Sequence, residues 1–327
     1  LTLAAFTLTI FLSALLLFAV QPMFARMVLP KLGGSPSVWA VSMVFFQAAL
    51  LTGYTYAHVL NRYLAPTPAL MTHLALLIVA LFALPIALPS FGLEAPTGDA
   101  YLWLLGVLSV GVGVPFFAVS ANAPLLQSWF AKSGHSHAND PYFLYGASNI
   151  GRMLALLSYP FVVEPVLGLV EQSTWWALGF GLLAALISVC GVLMLAGSAG
   201  AQLPYEKCDA TNKETSSGAV ITSRDRAVWI ALAFVPSALL VAFTTYLSTD
   251  IASAPFLWVL PLAAFLGTFI ITFCKKPLVP HGFLLNRQVA VAGLAILATA
   301  SITAVTSKLA MVASLLAFLL VTLTCHR

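Results

Sequence analysis

The chain has 327 residues, 61% of them hydrophobic and 7% charged, and its mean hydropathy is +1.00. Soluble domains carry roughly a quarter charged residues, so this composition excludes an ordinary water-soluble globule and points to a chain built for lipid. The net charge of +4 is spread along the chain with no basic face, which excludes nucleic acid as a partner.

A hydrocarbon core about 30 Å thick takes about 20 apolar residues per helix. Measured with that ruler, the chain holds ten expected spans, near residues 3–20, 38–60, 68–89, 101–122, 142–160, 174–196, 227–247, 254–274, 287–305 and 309–325. The fold class is therefore all-α, a polytopic membrane bundle of about ten transmembrane helices in a six-plus-four arrangement. Its expected parts are a six-helix bundle over 1–196, a cytoplasmic linker over 197–226 and a four-helix bundle over 227–327. The linker is polar and rich in Ser, Gly and Lys. The first span lacks the basic start and small-residue cleavage site of a signal peptide, so it is read as a helix. The chain opens on Leu1 and stops at Cys325-His326-Arg327, at the end of a span. Truncation, or a partner that supplies the remainder, is expected.

After the first span, Gln21 to Lys31 stays apolar between its charges. It is expected as an interfacial loop, either a plain connection or a short amphipathic helix with Arg26 and Lys31 at the head groups. On helix two, Tyr54, His58 and Arg62 recur every four residues and stack an aromatic, an imidazole and a cation on one face. His58 and Arg62 are thus candidates for a gating or interface contact, with an interfacial anchor belt as the other reading. Helix four carries Gly111, Gly113 and Pro115, then Asn122-Ala123-Pro124 near its expected inner end. Helix seven carries Pro236, and Pro255 and Pro261 bracket helix eight. Proline frees a carbonyl four residues upstream, so these are either unwound segments lining a cavity or kinked packing helices.

Helix five holds the most informative stretch, Asn149-Ile150-Gly151-Arg152. It sets a permanent charge near the middle of an apolar span, at a cost between about 3 and 15 kcal/mol unless protein or water receives it. Three readings are open for Arg152: a structural lock to a carbonyl or carboxylate, a site for an anionic or zwitterionic group, or a residue that snorkels. Asn149, Asn122 and Tyr159 are weaker candidates for the same substrate-binding or locking role. Ala147 and Gly151 form a small-xxx-small pair, which predicts close packing of this helix on a neighbour.

Lysines and arginines set the orientation. With the N-terminus inside, ten fall on inside segments and three (Arg26, Lys31 and Lys308) outside, Arg152 being set apart. Both termini are then cytoplasmic, and the expected location is a bacterial inner membrane. Glu164 and Asp250 fall near the outer surface, where they can form an entrance. The four cysteines show no CxxC spacing and are expected as free thiols. His135-Ser136-His137 falls short of a metal site, and no metal or cofactor is expected. Gly111-Val112-Gly113 has no strand before it and reads as packing rather than nucleotide binding. No nucleophile–base or carboxylate pair is present, so the chain is not expected to be an enzyme.

Several stretches carry a family resemblance. They include Leu29-Pro30 with Leu32-Gly33-Gly34-Ser35-Pro36, Gly53-Tyr54-Thr55-Tyr56-Ala57-His58, and Ala123-Pro124-Leu125-Leu126-Gln127. Asp140-Pro141-Tyr142 through Asn149 and Pro255-Phe256-Leu257-Trp258 extend it to helix eight. Together they resemble the spermidine-synthase-like integral membrane proteins, fused major-facilitator/spermidine-synthase chains. That family has Asn-Leu-Gly-Ser where this chain has Asn149-Ile150-Gly151-Arg152. The resemblance implies a major-facilitator-type bundle that commonly continues into a cytoplasmic aminopropyltransferase-like domain, which these residues do not contain.

Two functions are expected. The first is a non-enzymatic membrane subunit that anchors or scaffolds a larger assembly or a synthase-like partner domain, surrounded by lipid and other membrane subunits. The alternative is a secondary-transporter-like protein for a small anionic or zwitterionic metabolite. A polyamine fits less well, because no span carries Asp or Glu at its midplane.

Overall fold

The computed structural model describes residues 2–32, 36–92, 94, 99–135, 142–200, 222–247, 259–272, 281–299 and 304–326, and every regular element among them is helical. A single apolar segment in lipid can satisfy its own N–H and C=O groups only as a helix, which is why these runs take this form. Five stretches are long and apolar enough to cross a membrane: Thr2–Leu32, Ser37–Tyr63, Ala100–Ala131, Leu169–Gly197 and Ser223–Tyr246. The chain divides into two compact units, Leu1–Ala201 and Gln202–Arg327.

The first unit begins with α1 (Thr2–Leu32), α2 (Pro36–Tyr63) and α3 (Pro66–Leu81). A long interrupted rod comes next: α4 (Ala100–Leu108), a π-helical turn at Ser109–Gly113, α5 (Val114–Ser120) and α6 (Asn122–Ala131). A second interrupted rod comprises α7 (Tyr142–Ser158), a π-helical turn at Tyr159–Val163 and α8 (Glu164–Val166). The unit closes with α9 (Leu169–Gly200). Asp99 starts the α4 rod by accepting from the backbone N–H groups of Tyr101 and Leu102, at 2.8 and 3.1 Å.

Three expectations change here. Residues 21–31 are not a loop: α1 runs through Pro22 and Pro30 to Leu32. Pro22 has no N–H for the Phe18 carbonyl, and other carbonyls of the turn before it take side-chain donors in addition to their helical ones. Trp176 Nε1 donates to Leu16 O at 2.9 Å and Gln21 Nε2 to Leu17 O at 3.3 Å. The third span, expected over 68–89, ends as helix at Leu81. Pro85 removes the donor that would continue it, and a tightened turn from Phe82 to Leu84 takes the last carbonyls. The fourth rod reaches Ala131 rather than 122, so Asn122 sits well inside it and not at its end.

α1 is the helix around which the unit is packed, touching α5, α6, α7 and α9. Its seam with α7 is tight because Gly151 is small. A Cβ there would lie 2.5 Å from the Phe11 carbonyl oxygen and 3.3 Å from Ala14 Cβ. The α2–α5 approach depends in the same way on Gly53, where a Cβ would collide with Ser120 Oγ.

In the second unit, α10 (Ser223–Tyr246) opens on a capping box between Thr222 and Asp225. After it come α11 (Val259–Thr272), α12 (His281–Thr299) and α13 (Ala304–His326). Phe243 of α10 stacks on Phe318 of α13 with ring centroids 5.7 Å apart, forming the unit's small core with Leu247. His326 lies flat on Phe269 at 3.7 Å and shares a 3.0 Å hydrogen bond with Thr268. Asp250, Pro255, Trp258 and the linker residues 201–221 lie outside the described residues.

The α1–α7 seam gives a direct test. Gly151→Ala should lower stability by about 1–3 kcal/mol, the usual cost of overpacking a tight contact, while Gly146→Ala, with open space at its Cβ, should be near neutral. Thermal unfolding in one detergent would read the difference.

Candidate functional site

Arg152 lies on the face of α7 that also carries Ser148 and Tyr159, at the four-, seven- and eleven-residue spacing of a helical stripe. Its guanidinium sits over the Phe18 ring of α1 at 5.7 Å, a cation–π contact. Phe18 is the residue whose carbonyl loses its helical donor to Pro22. No carboxylate or carbonyl of the described residues locks Arg152, and its Nε is buried without a hydrogen-bond partner among them. Ser148, one turn earlier, is 3% exposed and its Oγ is likewise buried and unpartnered. Two polar groups therefore stand on successive turns, about 5–6 Å apart at their Cβ atoms, with nothing from the described protein to receive them. Each such group costs about 1–3 kcal/mol if it stays unsatisfied. Asn149 is buried beside them, while Ile150 on the opposite side is exposed.

Tyr159 belongs to a second group at the far end of the same helix. It is 2% exposed and donates to Gln172 Oε1 at 2.9 Å, and Gln172 Nε2 donates to Leu167 O at 2.8 Å. Beside it, Arg26 pairs with Glu164 Oε1 at 3.4 Å and donates to the Glu164 carbonyl at 3.3 Å. Residues assigned from sequence to a loop and to an entrance are thus brought together by helix packing. Lys31 is half-buried in the last turn of α1.

The third group was not legible as a group. Ser13 of α1, His73 of α3 and Asn122 of α6 are 3%, 0% and 1% exposed and form one hydrogen-bonded line. A carbonyl can only accept, so Ser13 Oγ donates to Val119 O at 3.5 Å and accepts from Asn122 Nδ2 at 3.1 Å. Asn122 Oδ1 is then the acceptor for His73 Nε2–H at 2.7 Å. The direction of the line fixes the His73 proton on Nε2 and leaves Nδ1 as a bare lone pair. Nδ1 is buried and unpartnered among the described residues, as are Tyr56 Oη and Trp129 Nε1. The Tyr56 and Trp129 rings flank the imidazole at centroid distances of 6.1 and 6.2 Å. Sequence reading picked out Asn122 and missed His73. The available signal was an imidazole inside the apolar run Leu70-Met71-Thr72-His73-Leu74-Ala75.

The remaining candidates stay apart. His58 and Arg62 lie near the end of α2, with Arg62 over the Tyr63 ring at 5.6 Å. His135 packs on Phe130 at 5.7 Å, and His137 lies outside the described residues. Cys190 shares a 3.3 Å hydrogen bond with Thr9. No family model and no curated protein matches the chain.

Removal of the central amide tests the buried line. Asn122→Leu strands His73 Nε2–H and removes the donor to Ser13 Oγ, and should cost about 2–4 kcal/mol, whereas Ser13→Ala, which strands only the Asn122 Nδ2 donor, should cost about half that. Chemical or thermal unfolding of the two variants would show the order. The Arg26–Glu164 pair is 35% and 25% exposed. A double-mutant cycle with Arg26→Gln and Glu164→Gln should therefore give a coupling of about 1 kcal/mol or less.

Proposed function

We propose that the chain is a secondary-transporter-like membrane bundle whose first unit receives a small anionic or zwitterionic solute at the Ser148–Arg152 step of α7. The observation that carries this reading is the buried Ser148 hydroxyl beside the half-buried Arg152 side chain, whose Nε, like the Ser148 Oγ, is buried without a hydrogen-bond partner among the described residues. A charge in the span with no acid beside it among the described residues attracts an anion, and a hydroxyl one turn away supplies a second hydrogen bond. The Phe18 ring forms one wall, and the paired prolines and π-helical turns of α1, α4–α6 and α7–α8 are irregularities often found beside binding sites.

The wider proposal is a major-facilitator-type six-plus-four bundle in a bacterial inner membrane, with both termini cytoplasmic, and kinship with the spermidine-synthase-like membrane proteins. The positive-inside count and the quoted sequence stretches support it. Spermidine itself is disfavoured, since the buried polar residues of the described chain include no Asp or Glu. A purely anchoring or scaffolding subunit has no use for a half-buried guanidinium and a buried hydroxyl that lack hydrogen-bond partners among the described residues, so that role takes second place.

Acetate, glutamate and glycine, with spermidine as the contrasting cation, give the test in protein held in lipid nanodiscs. At least one carboxylate should raise the unfolding temperature, and spermidine should not. Arg152→Leu should abolish that rise, and Ser148→Ala should weaken apparent affinity about tenfold, the loss of one hydrogen bond to a charged group. An unfolding temperature indifferent to all three carboxylates, with Arg152→Leu changing only which proteins co-purify, would favour the anchoring role.

A further inference from the structure

The His73 cluster is independent of the Arg152 site and has different chemistry. Among the described residues its surroundings are uncharged: Ser13 from α1, Tyr56 from α2, and Asn122 and Trp129 from α6. None of the buried polar residues in the described chain is Asp, Glu, Lys or Arg. An ion placed there would have no counter-charge, so the site selects against ions. What it offers is complementary and unspent. The Nδ1 lone pair of a fully buried imidazole needs a donor, and the Trp129 indole N–H and the Tyr56 hydroxyl need acceptors. One side of the imidazole is already committed, because Nε2–H is tied through Asn122 to Ser13, so the ring is held with Nδ1 directed away from that line. Three buried polar atoms without a partner among the described residues, on three neighbouring rings, where buried polar groups are ordinarily paired, point to an occupant.

We propose that His73 Nδ1 binds one small neutral hydroxylic molecule, water or an alcohol, that donates to Nδ1 and accepts from Tyr56 or Trp129. A hydroxyl group does both at once, which a carboxylate, an ammonium group or a hydrocarbon does not. The site belongs to the α1–α2–α3–α6 side of the first unit and needs no residue of the α7 stripe.

Protein labelled with 15N-histidine and held in lipid nanodiscs tests this, with the His73 ring signal assigned by its loss in His73→Gln. The expected spectrum has the proton on Nε2, Nδ1 shifted away from the free-imine position as a hydrogen-bond acceptor, and a cross-peak from His73 to water. Adding glycerol separates the two sources. Replacement of the water cross-peak by one to glycerol identifies an alcohol site, and an unchanged water cross-peak identifies a water site. Tyr56→Phe combined with Trp129→Phe, which keeps an aromatic ring at both positions, should move Nδ1 back toward the free-imine position and remove the cross-peak. A free-imine Nδ1 with no cross-peak in the unmodified protein, or a spectrum that the double variant leaves unchanged, would overturn the proposal.

Discussion

Hydrocarbon offers no hydrogen bonds, and in the first unit α1 meets most of that constraint. A helix interrupted by Pro22 should leave carbonyls stranded in the apolar layer. The helix nevertheless continues through Pro22, and one turn before it Trp176 of α9 bonds Leu16 O while Gln21 bonds Leu17 O, so this stretch of α1 is a point of attachment to α9. The same helix supplies Ser13 to the His73 line, Phe18 to the Arg152 guanidinium and Arg26 to Glu164. The three polar groups described above are thus all anchored on α1.

This arrangement sets two polar regions on different faces of one helix. Ser13 and Phe18 are five residues apart, which is about 140° around α1 at 100° per residue. The Phe11–Ala14–Phe18 face meets α7 through Gly151, and the Ser13 face meets α6 and, through Asn122, α3. One region presents a fixed positive charge and a hydroxyl; the other presents only neutral groups. The two regions thus differ in charge, and the body of α1 separates them.

Much of the helical plan was legible because span length and apolar content are set by the lipid, which acts on every segment alike. The departures arise where local chemistry overrides composition. Pro22 and Pro30 read as the end of a helix, since the packing that carries α1 through them includes a contact from Trp176, about 160 positions away, which sequence does not display. Pro85 was hidden inside an apolar run that length alone assigned to a span. At the site level, Arg152 was conspicuous because a charge in such a run is costly, and Gly151 because small residues four apart mark a seam. His73 and Ser148 were not. Each is ordinary in sequence and gains meaning only from what lies beside it in space: Asn122 in one case, and the missing partner of Arg152 one turn away in the other.

The π-helical turn at Tyr159–Val163 has a consequence for how this chain could have arisen. Such a turn is the footprint of one residue inserted into an α-helix, and it rotates everything beyond it by about 100° relative to the uninterrupted register. Glu164 is the first residue past that turn, and it meets Arg26. An ancestral or sibling chain one residue shorter here would carry the same acid on a different side of the rod, turned away from α1. The ion pair therefore depends on the register that this wide turn sets as well as on two side chains, and deleting one residue of the turn should break it as effectively as replacing either partner.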